Sequence, residues 1–177
     1  MKKNILRPVK KVDLAIQKNF LNTNKKKFSG LDICLKWAPL LSVFALDAFD
    51  NNSNDKLEKH LVDAITGMLI LNAAVFPLKK IIKRVRPNGQ LKSFPSRHTA
   101  ASFLGSEMLR QELNEKYSAW SYSGYAVAVG TAAMRLYRNK HWFSDVLAGA
   151  VLGVISIRLA PQLIDKVIYN TNIQPAV

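Results

Sequence analysis

Long uncharged segments separated by short basic groups constrain the fold of this chain more than any other feature. Residues 64–78 and 117–134 carry no charged side chain, and no stretch of useful length alternates apolar and polar residues as a half-buried strand would. The pattern predicts an all-α protein, a bundle of about five main helices without internal repeats. The expected helices are 31–49, 57–84, 95–113, 117–134 and 141–160, and Pro161 is expected to open a short tail helix.

The length of 177 residues indicates a single domain. We expect a basic N-terminal segment at 1–30, a helical domain at 31–168 and a C-terminal tail at 169–177. In the first segment one helix side carries apolar residues and the other carries lysines: Val12, Ala15, Ile16 and Phe20 against Lys10, Lys11 and Lys18. Two interpretations remain open, an interfacial amphipathic helix on an anionic bilayer and a solvated helix packed on the domain.

The net charge of +14 indicates an anionic partner, which could be nucleic acid, a membrane surface or a phosphorylated substrate. Cys34 is the only cysteine, so an intrachain disulfide is excluded and a cysteine metal site is not expected. No compact apolar segment of the kind found in a cleavable signal peptide occurs in the first thirty residues.

Membrane insertion is favoured over a soluble or peripheral bundle. A helix needs about 20 apolar residues to cross the hydrocarbon core, and only 117–134 approaches that length without a charge. Basic residues cluster at segment ends, and aromatic residues lie near the expected interfaces: Trp37, Trp120, Tyr122 and Trp142. We therefore expect an integral or tightly associated protein of the cell membrane, without a prediction of the side that the site faces.

Three polar groups interrupt the apolar segments between residues 79 and 145. The first is Lys79 with Arg86-Pro87, the second is Pro95-Ser96-Arg97-His98, and the third combines Arg135, His141 and Asp145. Together they supply what phosphoryl transfer without a metal requires: cations, a hydroxyl, a nucleophile with an orienting carboxylate, and an acid for the leaving group. The residues predict a phosphatase whose site forms at one end of the bundle.

In this order and spacing the three groups resemble the signature of the type 2 phosphatidic acid phosphatase family. That family shares its fold and site with vanadium haloperoxidases and bacterial non-specific acid phosphatases. The resemblance implies that phosphate oxygens are bound by one group of residues: Lys79, Arg86, Ser96 and Arg135. Two positions depart from the family pattern, Arg97 in place of a small residue and Met134 in place of a serine. We include Arg97 among the expected phosphate-binding residues, and its side chain could add a fourth cation or point to solvent.

The resemblance also implies the catalytic roles. His141 would be the nucleophile that forms a phosphohistidine, and Asp145 would hold its other ring nitrogen. His98 would be the general acid that protonates the leaving group. The spacing of four residues between His141 and Asp145 suits this pairing if both lie on one helix face.

The expected function is metal-independent hydrolysis of a phosphomonoester or diphosphate, most plausibly of a lipid, with no cofactor and no metal site. The expected partners are a phosphorylated lipid or another phosphoester and a membrane, but not nucleic acid; the oligomeric state is not predicted. Three alternatives remain open: a soluble non-specific acid phosphatase, a vanadium haloperoxidase, and a non-enzymatic basic protein that binds membrane or nucleic acid.

Overall fold

A computed structural model describes four parts of the chain, residues 7–19, 30–49, 53–114 and 120–170. These parts form six helices and contain no strand, which confirms the all-α prediction. The five expected main helices are present, and the N-terminal segment adds one before them. In chain order the helices are α1 (Arg7–Lys18), α2 (Leu31–Ala48), α3 (Ser53–Ile82), α4 (Arg97–Asn114), α5 (Ser123–Tyr137) and α6 (Phe143–Asn170).

The end of α3 differs from the expectation that Pro87 terminates this helix. The helix ends at Ile82, because Lys83 adopts a left-handed backbone conformation with φ of 46° that no α-helix can continue. Arg84 and Arg86 therefore lie in a loop, 83–96, and not on a helix face.

The predicted tail helix at Pro161 is also absent as a separate element, because α6 continues through this proline to Asn170. A proline removes one backbone hydrogen bond from a helix, but neighbouring contacts can hold the helix together. Ile157 and Ala160 are buried in the core one turn before the proline and provide such contacts. The expected tail, 169–177, begins inside α6, and residues 171–177 lie outside the described parts.

The core forms around α4, which packs on α2, α5 and α6. Its buried face is joined by apolar side chains of α2, α3 and α6: Leu40, Val43, Leu71, Val75, Ile157 and Ala160. Two glycines allow α6 to approach α4 closely. A Cβ atom on Gly149 would lie 2.5 Å from the carbonyl oxygen of Ser96, and one on Gly153 would lie 2.1 Å from that of Ala100.

Within the described residues, α3 and α6 contain the two segments long and apolar enough to cross a membrane, Asn54–Ile82 and Phe143–Val167. Large apolar side chains such as Leu69 and Val151 point outward from both. The expectation that 117–134 comes nearest to a span is not met, because α5 has only 15 residues, about 22 Å of helix. Residues 117–119 of that range lie outside the described parts.

Helix α1 contacts α6 through polar residues, with Asp13 and Gln17 buried. Val12 and Ala15 are exposed and Ile16 is half-buried, so the apolar stripe that the sequence suggested forms at most a small part of the contact. Phe20, a member of that stripe, lies outside the described residues. Asp13, which the amphipathic pattern did not single out, thus bonds α1 to the first turn of α6.

Candidate active site

The three polar groups meet where α3 and α5 end and where α4 and α6 begin. The backbone amide of Ser96 donates to the carbonyl oxygen of Asp145 at 2.9 Å, which joins the second group to the third. The ammonium of Lys79 donates to the carbonyl oxygens of Pro95 and Lys92 at 2.7 and 2.9 Å, which joins the first group to the second. The expected convergence at one end of the bundle is therefore present in the structure.

His141 and Asp145 form the most buried part of this region, with 2% and 0% of their side-chain surfaces exposed. His141 precedes the first residue of α6, and its Nδ1 lies 3.7 Å from Oδ2 of Asp145, a close electrostatic contact beyond hydrogen-bond distance. Asp145 accepts hydrogen bonds from the Trp142 amide at 2.9 Å, from the Ser93 hydroxyl and from Arg84 at 2.8 Å. These three donors fix the carboxylate beside the imidazole.

Burial lowers the pKa of His141 to about 4, because a charged imidazolium loses its hydration in this position. The Asp145 carboxylate raises this pKa, whereas the positive charges of Arg135 and Lys79 lower it. The imidazole is therefore neutral at physiological pH. A neutral ring whose Nδ1 faces a carboxylate has its Nε2 lone pair available on the opposite side.

Two cationic side chains, Arg135 and Lys79, lie within electrostatic range of this histidine, and Lys79 is the centre of a larger cluster. Lys79 lies within electrostatic range of Arg86, Arg97 and Arg135, and Arg135 is itself 5% exposed. Arg86 donates from Nη1 to Oε1 of Gln90 at 3.0 Å, while its buried Nε has no hydrogen-bond partner. Buried like charges repel one another, so this cluster favours an anion with several oxygen acceptors.

Ser96 and His98 lie at the start of α4, where backbone N–H groups and the helix dipole favour anions. Ser96 is fully buried, and its hydroxyl shares a hydrogen bond of 2.9 Å with the hydroxyl of Thr99. His98 is half-buried as the second residue of the helix. Both expected residues therefore belong to the convergent region.

Arg97 occupies the edge of the region. Its side chain is exposed, and the guanidinium carbon lies 5.3 Å from the centre of the Phe76 ring on α3. The contact is a cation–π interaction, which holds the guanidinium over an apolar surface next to the other cations.

Three residues near Asp145 were not expected from the sequence: Arg84 and Ser93, which bond to it, and Asp13, which bonds to Arg84 and Ser144. Arg84 bonds to Asp145 on one side and to Asp13 of α1 on the other, although its sequence position suggested one more charge in a basic run. One signal was available. Asp13 is the only acidic residue among the first 31, and a single acidic residue in a basic segment indicates a specific cationic partner.

The described residues contain no group of three or more His, Cys, Asp or Glu side chains placed to hold a metal ion. The groups that this region brings together are a buried neutral histidine with its carboxylate, a second histidine, a buried hydroxyl and a cluster of cations.

A family model, the PAP2 superfamily, matches residues 60–169 and therefore all three polar groups. The chain belongs to the PAP2 superfamily. The resemblance found in the sequence is thereby confirmed. The PAP2 match begins within α3, so α1 and α2 lie outside it.

A curated PAP2 relative is the lipid A 1-phosphatase of Porphyromonas gingivalis, which is 31% identical over 143 residues. The alignment covers 76% of this chain and 32% of the relative, so the chain spans about a third of that protein's length.

Two crystal structures share the fold. One is a transmembrane PAP2-type phosphatidylglycerolphosphate phosphatase from Bacillus subtilis, with 20% identity, a TM-score of 0.66, and coverage of 90% of this chain and 88% of that one. The other is LpxE from Aquifex aeolicus, with 18% identity, a TM-score of 0.60, and coverage of 84% and 94%. The likeness to these two structures shows that the fold is shared, and α3 and α6 are long and apolar enough to cross a membrane.

Proposed function

We propose that this protein is a metal-independent phosphatase that hydrolyses a phosphomonoester or diphosphate of a lipid through a phosphohistidine intermediate. The observation that carries the proposal is the buried, neutral His141, with Asp145 beside its Nδ1 and two cations, Arg135 and Lys79, close enough to lower its pKa. A neutral nucleophile in a cationic surrounding suits attack on an anionic phosphorus centre.

In the first step the Nε2 lone pair of His141 forms a bond to phosphorus, and the bond between phosphorus and the leaving oxygen breaks. The bonding electrons leave with that oxygen, which takes a proton from His98 acting as general acid. The imidazole of His141 becomes positively charged, and the Asp145 carboxylate stabilises this charge.

In the second step the neutral His98 takes a proton from water while the water oxygen attacks phosphorus. The bond between phosphorus and Nε2 of His141 breaks, and inorganic phosphate leaves. His98 then carries the proton that the next cycle requires, so the two steps restore the starting enzyme.

The cations stabilise the negative charge on the phosphoryl oxygens in both steps. Lys79, Arg86 and Arg135 would bind these oxygens directly, the Ser96 hydroxyl would add a neutral donor, and Arg97 would act from the edge. Fixed donors placed before the reaction are effective because they need no reorganisation as charge develops.

The lipid part of the proposal is supported by location. The site residues cluster at the ends of both candidate spans, Ile82 on α3 and Phe143 on α6, and the outward faces of these helices are apolar. The relative from P. gingivalis and the structure from B. subtilis are both named for phosphorylated lipids. We therefore propose an integral protein of the cell membrane whose partner is a phosphorylated lipid and not a nucleic acid.

The test is phosphate release by the purified full chain in detergent, with EDTA present. The panel contains phosphatidic acid, an isoprenyl diphosphate and the water-soluble p-nitrophenyl phosphate. We expect turnover of at least one lipid, and loss of several orders of magnitude in His141→Gln and His98→Gln. His60→Gln is the matched control. His60 bonds to Asp47 and lies on α3 about 28 Å from Lys79, far from the site.

Full activity in His141→Gln would refute the phosphohistidine mechanism. Turnover of p-nitrophenyl phosphate alone would favour a non-specific acid phosphatase. Activity lost in EDTA and restored by one divalent ion would refute metal independence.

A further inference from the structure

A continuous set of hydrogen bonds connects α1 to the carboxylate beside the catalytic histidine. Asp13, with 2% exposure, accepts from the Ser144 amide at 2.9 Å and from the Ser144 hydroxyl at 2.8 Å. Its Oδ2 also accepts from Nη2 of Arg84 at 2.5 Å. From its other terminal nitrogen, Arg84 donates to Oδ1 of Asp145 at 2.8 Å and to the Ser144 hydroxyl at 2.6 Å.

The geometry assigns the two oxygens of Asp145 different partners. Oδ1 is held by Arg84, and Oδ2 is the oxygen 3.7 Å from Nδ1 of His141. Oδ2 also accepts from the Ser93 hydroxyl and the Trp142 amide, so Arg84 is the partner that fixes the second oxygen and thereby the rotation of the carboxylate. A guanidinium is planar, so fixing one of its terminal nitrogens on Asp13 limits the positions open to the other.

Asp13 also fixes the first turn of α6 directly. The Ser144 amide is one of the helix-start N–H groups without a partner inside the helix, and the Asp13 carboxylate supplies that partner from another helix. Asp145 follows Ser144 in the chain. Both routes, through Arg84 and through the helix backbone, end on the same carboxylate.

The burial of Asp13 requires a reason, because α1 is otherwise basic on its exposed surface. A buried carboxylate is costly unless it is paired and hydrogen-bonded, and an isolated surface helix would not bury one. Asp13 makes three hydrogen bonds, all to residues that contact Asp145 or adjoin it in the chain. The family match starts only at residue 60, so this contribution lies outside the PAP2 core.

We propose that Asp13 is a positioning residue and that α1 is a working part of the active site. It holds Arg84 and the start of α6 so that Asp145 faces His141. The inference rests on the proposed phosphatase function, and it adds a residue from a helix that takes no part in the three signature groups.

The test compares Asp13→Asn with the wild type in single-turnover phosphate release, using saturating enzyme and the panel substrate with the highest kcat/KM. The amide keeps the size and one oxygen but removes the charge that holds Arg84. We expect a rate constant lower by roughly ten- to a hundredfold, as for other groups that orient a reactive residue. The steady-state KM, measured separately with substrate in excess, should change by less than about twofold. Asp13→Glu restores the charge and should recover most of the rate.

This rate constant separates positioning from folding, because with enzyme in saturating excess all substrate is bound by folded enzyme, and a smaller folded fraction leaves the limiting rate constant unchanged. Val12→Ala is the matched control, because Val12 is the neighbouring residue on α1 and half of its side chain is exposed. If Asp13→Asn does not fold, Ser144→Ala removes the shared hydroxyl from the same hydrogen-bond set. Ser144→Ala should then lower the rate constant several-fold without changing KM.

A wild-type rate constant in Asp13→Asn, with only the yield of folded protein reduced, would overturn the inference and leave Asp13 a structural residue. A wild-type rate constant in Ser144→Ala would do the same where Asp13→Asn cannot be purified. These outcomes differ from failure of the proposed function, in which the wild type releases no phosphate or His141→Gln equals it.

Discussion

The backbone amide of Ser96 donates its hydrogen bond to the backbone carbonyl of Asp145, 2.9 Å away. Ser96 directly precedes α4, and Asp145 lies in the first turn of α6. The bond therefore joins two helices that are far apart in the chain. The distance from Ser96 to His141 and Asp145 is therefore set by how closely the two helices approach, and not by the loops alone.

Gly149→Ala should disturb this approach. The added Cβ would lie 2.5 Å from the Ser96 carbonyl oxygen, so the backbone of α4 or α6 must shift. We expect a loss of about 1–3 kcal/mol in the free energy of unfolding, the usual cost of overpacking, together with a lower kcat. Thermal unfolding in detergent and phosphate release measure the two effects.

The control for this substitution is Gly130→Ala on α5, where a Cβ meets no atom within 4 Å. It should leave activity unchanged and raise stability by about 0.5–1 kcal/mol through helix propensity. Equal effects of the two substitutions would show that close packing at Gly149 does not matter for the site.

Asp145→Asn should lower kcat by roughly 10²–10⁴-fold and change KM much less, because an amide cannot stabilise the imidazolium formed in the transition state. Steady-state kinetics on the best lipid substrate measure both constants. Asp165→Asn, the same substitution at an exposed position of α6, serves as control. An effect mainly on KM would make Asp145 a substrate-binding residue instead.

The stability of the protein should fall in acid because of His141. Its pKa is about 4 in the folded protein and 6.5 ordinarily, so unfolding takes up a proton between these values. Stability from this source is present above pH 6.5 and is lost as the pH falls toward 4, by about 3 kcal/mol in total.

The measurement is thermal unfolding in detergent at pH 7, 5.5 and 4.5 for the wild type and His141→Gln. The stability of the wild type relative to the variant should decrease as the pH is lowered from 7 to 4.5. A difference that stays constant would mean that folding does not lower the pKa of His141.

Much of the fold and of the site could be predicted from the sequence. Apolar segments gave the main helices, and the alternating direction of α4 and α5 brought Ser96 and Arg135 to the same end. The three short groups proposed to carry the chemistry are each local in the sequence. Local patterns of this kind are what sequence periodicity reports.

The rest could not be predicted because it depends on contacts between distant parts of the chain. The contact between Arg84 and Asp13 joins a loop to a helix some 70 residues earlier, and no periodicity encodes it. The end of α3 depends on the backbone conformation of Lys83, and lysine has no special preference for a left-handed conformation. The continuity of α6 through Pro161 depends on tertiary packing.

Arg97→Gly should affect a diphosphate more than a monophosphate. The guanidinium lies at the edge of the cation cluster over Phe76, where it can pair with a second phosphate group outside the central site. We expect kcat/KM to fall about tenfold for an isoprenyl diphosphate and by less than about threefold for the matched monophosphate. An equal fall for both substrates would limit Arg97 to a contribution to helix stability.

The positions of the two apolar spans have a consequence for the kinetics. The candidate span Asn54–Ile82 ends next to the proposed catalytic groups, and Phe143–Val167 begins two residues after His141. In the proposed membrane protein His141 would therefore lie at the depth of the lipid headgroups. An enzyme placed there meets its substrate by lateral diffusion in a two-dimensional film. Its rate should follow the mole fraction of the lipid in the micelle or bilayer, and adding inert detergent at constant total lipid should slow it by surface dilution.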